Sequence, residues 1–248
     1  MQEPPKRRRT SRGVCALCKA ETGKAQITRH LEKHLAEKDA APGLHAARFH
    51  LRVEGAYSPE YWLHLDVRAD ATLDTLDTYL RRIWLECCGH LSAFTIGETR
   101  YEDTRLDPGE EEEDEEGSGG DLAGLLPAFF RPPTKRMTVP LAQALTPGLV
   151  FRHEYDFGST TELKIRVLSA HVGDGTEDAV LLLARNVAPE TLCENCEQPA
   201  VWLGVDEEGE YRELCGKCAK RMKLDEWLLP VVNSPRAGVC GYEGPAER

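Results

Sequence analysis

The stretch YWLHLDVRADATLDTLDTYLRRIWLECC, residues 61–88, decides the fold class of this 248-residue chain. Its first seven residues alternate apolar and polar side chains, which is the period of a β-strand. Beyond them, apolar side chains recur every three or four residues, at Leu73, Leu76, Leu80, Ile83, Trp84 and Cys87. This spacing predicts an amphipathic helix over 72–88 that is capped by Thr72 and ended by Gly89.

Further strand patterns surround this pair of elements. They lie at 47–53, 91–101, 148–158, 162–172 and 178–186, and short helices are predicted at 121–130 and 139–146. Strands grouped around one long helix are typical of α+β domains. We therefore predict an α+β domain over residues 46–186 with a central antiparallel or mixed sheet and one long helix.

Two Cys-x-x-Cys pairs follow this domain. Cys193/Cys196 and Cys215/Cys218 enclose a charged segment with a hairpin pattern. Two such turns offer four thiolates to one ion in the tetrahedral arrangement that structural zinc sites use. The spacing predicts a four-cysteine zinc ribbon over 187–230; a redox dithiol, the alternative, would need a single pair beside a βαβ unit.

A second set of ligands lies near the N-terminus. Cys15, Cys18, His30 and His34 fall in a unit over 13–40, with the histidines four residues apart on one helical face. The pattern is similar to the zinc finger that uses two cysteines and two histidines. It departs from that pattern because Cys18 and His30 are separated by one residue fewer than usual and no aromatic side chain precedes Ile27. These departures place the standard ββα hairpin in doubt. Finger and ribbon together predict two zinc ions.

Charge is distributed unevenly along the chain. The net charge is −11, and the acidic run at 110–116 lies in a solvated loop predicted over 107–121. The arm over 1–12 is basic and carries Lys6, Arg7, Arg8, Arg9 and Arg12. The overall charge argues against a nucleic-acid-binding surface that covers the whole protein, but the arm and the finger are candidates for phosphate contacts.

Composition also bears on location. The chain is 41% hydrophobic, and it has neither an apolar run long enough to span a membrane nor an N-terminal secretory signal. We expect a cytoplasmic protein without membrane association. Its nine cysteines are then metal ligands or thiols rather than disulfides.

A third cluster, Cys87, Cys88 and His90, lies at the predicted helix end. Cys87 falls on the apolar stripe, which favours packing, and a thiol or metal function is the alternative. Cys240 is isolated in a C-terminal segment over 231–248 that is expected to be an extended tail. In HEYDFGSTTE, residues 153–162, Glu154 and Asp156 share one strand face and could form a carboxylate pair, although solvated or turn-capping carboxylates are the favoured interpretation.

The middle of the chain resembles the plasmid pRiA4b ORF-three-like family, also known as insertion-element passenger TnpR-type proteins. The resemblance rests on the strand at 61–67, the helix and strand at 72–103, and Tyr-Asp-Phe-Gly at 155–158, and it spans roughly 46–184. It implies a compact α+β domain, a bacterial context with a link to mobile elements, and no established enzymatic activity.

Three functions agree with these patterns. The favoured one is a non-enzymatic, zinc-stabilised interaction protein with a protein partner. The first alternative is a nucleic-acid-binding protein that uses the basic arm and the finger. The second is an enzyme with a site near Cys87, Cys88 and His90, set against Asp156, although the sequence lacks the common nucleotide-binding, hydrolase and metalloprotease motifs.

Overall fold

The computed structural model describes residues 11–39, 45–103, 134–205, 211–222 and 228–245. The predicted helix at 121–130, the acidic loop and Lys6 to Arg9 lie outside these ranges. The strands are β1 Arg12–Cys15, β2 Glu21–Gly23, β3 His45–Gly55, β4 Trp62–Arg68, β5 Ser92–Ile96, β6 Thr99–Glu102, β7 Thr134–Arg136, β8 Val150–Tyr155, β9 Thr161–Asp174, β10 Val180–Asn186, β11 Trp202–Val205, β12 Tyr211–Leu214 and β13 Leu228–Pro230. The helices are α1 Lys24–Asp39, α2 Leu73–Leu80, α3 Leu141–Ala144 and α4 Gly216–Met222.

Ten of these strands form one sheet in the order β2-β1-β10-β4-β3-β9-β8-β5-β6-β7. Every neighbouring pair is antiparallel except β6 and β7, which are parallel. The predicted α+β class with a mixed sheet is thereby confirmed. The segment at 91–101, predicted as one strand, is a hairpin because Gly97 has a φ of 59° and turns the chain back.

The helix predicted over 72–88 begins as expected. The side chain of Thr72 accepts a hydrogen bond from the backbone N–H of Thr75 and caps α2. The helix then widens into a π-helical turn over Arg81–Leu85, closed by a 2.9 Å bond from the N–H of Glu86 to the carbonyl of Arg81. Glu86 is extended, so helical structure ends before Cys87 and Cys88.

The main core lies on one face of the sheet. Leu63, Leu65 and Val67 of β4 point to this face, where they meet the buried leucines of α2 and Trp84. The alternate residues of β4 point to the opposite face, as the pleat requires. One of them, Trp62, packs with Ile27, Leu31 and Leu35 of α1 in a second core.

The N-terminal unit is part of the sheet. Strands β1 and β2 form the hairpin that the sequence placed in doubt, and β1 also pairs with β10, with Gly13 opposite Asn186. A side chain at Gly13 would collide with the ring of Trp62 and lie 2.7 Å from the carbonyl oxygen of Arg185. Glycine is therefore required where the finger meets the domain.

A row of buried polar groups shares this second face. His50 Nε2 and His64 Nδ1 lie 2.8 Å apart, and Asp66 Oδ1 lies 2.9 Å from Arg48 Nε and 3.1 Å from His171 Nε2. Burial lowers the pKa of His50 to about 4 and holds that of His64 well below its usual value. Both imidazoles are thus neutral in the folded protein at pH 7.

The C-terminal residues form two connected parts. Strands β12, β11 and β13 make a small antiparallel sheet, joined to α4 around a compact core. The segment at 231–245, for which the sequence suggested an extended tail, packs against the main domain, and its Ser234, Arg236 and Tyr242 are buried. Within the described residues, no helix combines the length and apolarity needed to cross a membrane.

Candidate metal centres

Three groups of four Cys and His side chains converge in the described residues. In each group the ligand atoms all lie within 4.8 Å of one another. The finger cluster is Cys15, Cys18, His30 and His34; the ribbon cluster is Cys193, Cys196, Cys215 and Cys218; the third cluster is Cys87, Cys88, His90 and Cys240. The ribbon cluster offers four sulfurs and the other two clusters offer sulfur and imidazole, which are the donors that zinc prefers.

The ribbon cluster is built by two tight turns. In the first turn, the N–H of Glu197 donates to the carbonyl of Cys193 at 2.9 Å, and Glu197 adopts a positive φ of 56°. The second turn opens α4, where the N–H of Ala219 donates to the carbonyl of Cys215 at 3.0 Å. The hairpin of β11 and β12 brings the two turns together.

The sulfur spacing in the ribbon cluster suits a tetrahedral ion. Cys196 Sγ lies 3.6 Å from the sulfurs of both Cys215 and Cys218. Four thiolates at about 2.3 Å from zinc would be separated by about 3.8 Å. The backbone N–H of Cys215 lowers the pKa of Cys193 to about 6, whereas hydrogen bonding to Cys196 raises the pKa of Cys218 to about 12. A divalent cation would relieve the repulsion among the four thiolates, which otherwise opposes ionisation of all four cysteines.

The finger cluster joins the end of β1 to one face of α1. Cys15 is fully buried, and Cys18 lies in the turn that follows, where Lys19 has a φ of 63°. Hydrogen bonding from the backbone of Ala20, followed by the two histidines, lowers the pKa of Cys18 to about 6. The turn therefore favours a thiolate at Cys18.

Both finger histidines face this turn. His30 Nε2 lies 3.2 Å from Cys18 Sγ, and the rings of His30 and His34 meet edge to face with centroids 4.8 Å apart. His34 Nδ1 also lies 3.5 Å from a carboxylate oxygen of Glu37. A carboxylate beside a ligating imidazole fixes the orientation of its ring.

The third cluster begins in the loop after the π-helical turn. The hydroxyl of Tyr155 accepts hydrogen bonds from the N–H groups of Cys87 and His90, at 3.5 and 3.3 Å, and donates to Glu86 at 3.0 Å. Gly89 has a φ of 78°, and its N–H donates to Glu86. One tyrosine and one glutamate thus fold the loop so that Cys87, Cys88 and His90 converge.

Cys240 completes the third cluster from the C-terminal segment. Its sulfur lies 3.8 Å from Cys88 Sγ and 3.2 Å from His90 Nε2. Cys88 Sγ is also 3.6 Å from Cys87 Sγ and 2.9 Å from His90 Nε2. Cys240 has a positive φ of 49° between Gly238 and Gly241, whose φ values are also positive.

Arg236 anchors the C-terminal segment beside this cluster. Its Nη2 lies 2.7 Å from Asp156 Oδ2 and 3.4 Å from Cys87 Sγ, and its guanidinium stacks over the ring of Tyr155. Asp156 has a φ of 65° and accepts hydrogen bonds from the N–H groups of Gly158 and Ser159 through Oδ1. The Tyr-Asp-Phe-Gly element is therefore the support of the third cluster.

Glu154 and Asp156, the two candidates for a carboxylate pair, bind different partners. Glu154 accepts a hydrogen bond from Arg100 at 2.6 Å, whereas Asp156 binds Arg236 and lies 3.6 Å from His90 Nε2. The reason is the positive φ of Asp156, which ends the strand alternation at Tyr155. The proposed enzymatic neighbours, His90 and Asp156, are thus close together.

Of the arm residues predicted to contact phosphate, Arg12 lies within the described residues. Arg12 Nε lies 2.7 Å from a carboxylate oxygen of Glu21. Lys24, on the finger, is similarly 2.7 Å from Glu54. Both cations are thereby paired with acidic side chains of the same chain.

Sequence reasoning missed Cys240, Tyr155 and Arg236 as members or supports of one cluster. Two signals pointed toward them: an unassigned cysteine between glycines, and a third Cys/His group that lacked one ligand. Their convergence depends on contacts across 65 to 152 positions, which spacing along the chain does not encode.

Comparison with known proteins identifies the central part of the chain. The family model for plasmid pRiA4b ORF-3-like protein matches residues 45–213. A crystal structure of MM3350, a protein of unknown function from Methanosarcina mazei Go1, has 15% sequence identity and a TM-score of 0.43, over 57% of this chain and 71% of that one. No curated protein matches the chain.

Proposed function

The chain belongs to the plasmid pRiA4b ORF-3-like protein family, and from this premise we propose that it is a non-enzymatic zinc-binding interaction protein. In this proposal the finger and ribbon clusters each hold one structural zinc ion. The metal ions stabilise small units at the two ends of the family domain, and those units carry surfaces for a protein partner. The link of the family to plasmids suggests a role connected with mobile genetic elements.

The observation that carries the proposal is the four-donor composition of each cluster. A structural zinc site uses four protein ligands, whereas a catalytic zinc site uses three and leaves one position for water. The finger offers two sulfurs and two imidazoles. The ribbon offers four sulfurs, and that of Cys196 lies 3.6 Å from two of the others. An ion with four protein ligands in a tetrahedral shell has no place for a water nucleophile.

A groove beside the ribbon supports the interaction role. It has a volume of about 650 Å³ and is lined by Trp202, the backbone turn around Gly216, and Lys217 and Lys220. Both lysines are exposed, and Val201 nearby is 49% exposed. An apolar floor with a cationic rim suits a peptide that combines apolar and acidic side chains.

The first test is the metal content of the purified full-length protein. We expect zinc in at least the two sites of finger and ribbon, and a Co²⁺-substituted protein with the absorption of tetrahedral thiolate coordination. A folded preparation without bound metal would overturn the proposal. Co-purified nucleic acid whose retention falls steeply with salt, and is abolished by deletion of residues 1–40, would favour the nucleic-acid alternative.

The second test concerns the groove. A Lys217→Glu/Lys220→Glu double variant should lose partner capture in cells because it reverses the charge of the rim. Lys135→Glu, an exposed change on β7 outside the finger and the ribbon, is the control and should retain capture. Equal capture by both variants would remove the groove from the proposed function.

A further inference from the structure

We propose that Cys87, Cys88, His90 and Cys240 form a third structural zinc site, which fastens the C-terminal segment to the family domain. This site goes beyond the proposed function, which needs only the finger and the ribbon. The ligands come from two parts of the chain, because 150 positions separate His90 from Cys240. The juxtaposition of three sulfurs and one imidazole is the observation from which the proposal starts.

The sulfur positions match a tetrahedral metal shell. Cys88 Sγ lies 3.6 Å from Cys87 Sγ and 3.8 Å from Cys240 Sγ, close to the separation of about 3.8 Å expected for thiolates around zinc. The ribbon cluster shows the same 3.6 Å spacing. The His90 contacts, at 2.9 and 3.2 Å, would open to about 3.5 Å around an ion.

A disulfide does not describe this arrangement. Sulfur atoms in a disulfide are about 2.05 Å apart, whereas the sulfurs of Cys87 and Cys240 lie 3.6 and 3.8 Å from that of Cys88. A thiol nucleophile is also a poorer description, since Cys88 and His90 would suffice for a Cys–His pair. The additional sulfurs of Cys87 and Cys240 beside Cys88 make sense as ligands, because a cation offsets the repulsion among three thiolates.

The residues around the third cluster supply a positive charge and orient the ligands. Three thiolates and one neutral imidazole around Zn²⁺ carry a net charge of −1, and Arg236 Nη2 lies 3.4 Å from Cys87 Sγ. The guanidinium, which also pairs with Asp156, therefore places a positive charge beside the Cys87 thiolate. Tyr155 holds the backbone of Cys87 and His90, so the ligating loop is oriented before the ion binds.

The fold gives the site a mechanical role. Ser234 donates a 2.7 Å hydrogen bond to the carbonyl of Trp84, and Arg236 reaches Asp156. Beyond these contacts, Cys240 is the point at which the segment meets the loop at 86–90. A metal bond there would add to the burial of Tyr242 and to the hydrogen bonds of Ser234 and Arg236 in holding residues 237–245 against the domain.

Metal content separates this proposal from the two-site alternative. Elemental analysis of the full-length protein should give one ion for each of the three clusters. Cys240→Ser should lower the content by one ion while finger and ribbon thiols stay protected from alkylation. Glu243→Gln, an exposed neighbour, should leave it unchanged. Two ions in the wild type, retained in Cys240→Ser, would overturn the third site and leave the proposed function intact.

Thiol labelling of the wild-type protein provides a test that does not depend on a folded variant. Cys88 and Cys240 are exposed, so as free thiols they would react quickly with iodoacetamide. As zinc ligands they should react at the slow rate of the ribbon thiols until a chelator is added. Rapid labelling at either position in metal-loaded protein, or a disulfide between them, would overturn the proposal and favour a thiol function.

Discussion

Arg236 and Asp156, 80 positions apart, form a buried ion pair in which Nη2 lies 2.7 Å from Oδ2. The same guanidinium donates to the carbonyl of Ser159 and the hydroxyl of Thr161, at 3.2 and 3.0 Å. The C-terminal segment is therefore connected to the strand end that carries the Tyr-Asp-Phe-Gly element. This connection explains why the segment is packed although it contains little regular secondary structure.

Replacement of Arg236 by alanine should destabilise the protein strongly. Removal of one partner from a buried ion pair costs about 3–5 kcal/mol because the remaining charge has no compensation. Urea denaturation measures the loss. Arg212→Ala is the control, because Arg212 forms an exposed pair with Glu194 that is worth about 0–1 kcal/mol. Similar losses for the two variants would contradict the structural role of Arg236.

The stability of the protein should decrease as the pH falls from about 6.5 to about 4. Burial lowers the pKa of His50 to about 4, below the value of about 6.5 in an unfolded chain. Within this interval the unfolded chain binds a proton that the folded protein excludes, at a cost of about 3 kcal/mol. The measurement is the urea midpoint as a function of pH.

His50→Gln tests the origin of this dependence. Between pH 6.5 and pH 4 the urea midpoint of the variant should decrease less than that of the wild type, whatever the stability of the variant at pH 7. His45→Gln, at an exposed position, should follow the wild type. A pH dependence that is the same in all three proteins would assign the effect to other groups, such as His30 and His34 of the finger cluster.

Gly13→Ala should separate the finger from the sheet. The new methyl group would overlap the ring of Trp62 and crowd the carbonyl of Arg185, and overpacking of this kind costs about 1–3 kcal/mol. Hydrogen exchange should show reduced protection in β1 and α1. At Gly216 the nearest atom to a new Cβ would be 3.9 Å away, so Gly216→Ala is the control. Unchanged protection in Gly13→Ala would argue against close packing of Gly13 on Trp62.

Metal removal should unfold the ribbon and spare the main domain. The ribbon core contains five buried residues, three of which are cysteines: Cys193, Leu214, Cys215, Cys218 and Ala219. So few apolar groups cannot replace the roughly 10–16 kcal/mol that zinc binding supplies in small zinc-dependent domains. With a chelator, hydrogen exchange should lose protection in β11 and β12 while β3 and β4 keep theirs. Restoration by added zinc is the control, and protection that persists without metal would contradict the prediction.

The elements of the family domain could be predicted because their signals are local. Alternation in residues 61–67 predicts β4, and the leucine spacing after Thr72 predicts α2. The π-helical turn at Arg81 was not predictable in this way. Its arginine binds Asp77, Ser92 and Asp103 at 2.8, 2.8 and 2.6 Å, and these tertiary contacts accompany a widening that residue periodicity does not signal.

The finger and ribbon ligand sets were accessible for the same reason, since each Cys-x-x-Cys turn is a local signal. Only part of the third cluster could be predicted from the sequence. Cys87, Cys88 and His90 are neighbours along the chain, but Cys240 reaches them through the packing of Ser234, Arg236 and the glycines around it. Because this convergence is long-range, the four members of the cluster can be identified only when the fold is known.

The strand order imposes a sequence of events during synthesis on the ribosome. Among the described strands, β1 is translated first. Its two neighbours in the sheet are β2, which follows at once, and β10, whose residues 180–186 are translated about 170 positions later. Until then the N-terminal hairpin has no sheet to join, and the edge of β4 that β10 will occupy stays open. A nascent chain stalled before residue 180 would therefore expose both surfaces to chaperones and proteases.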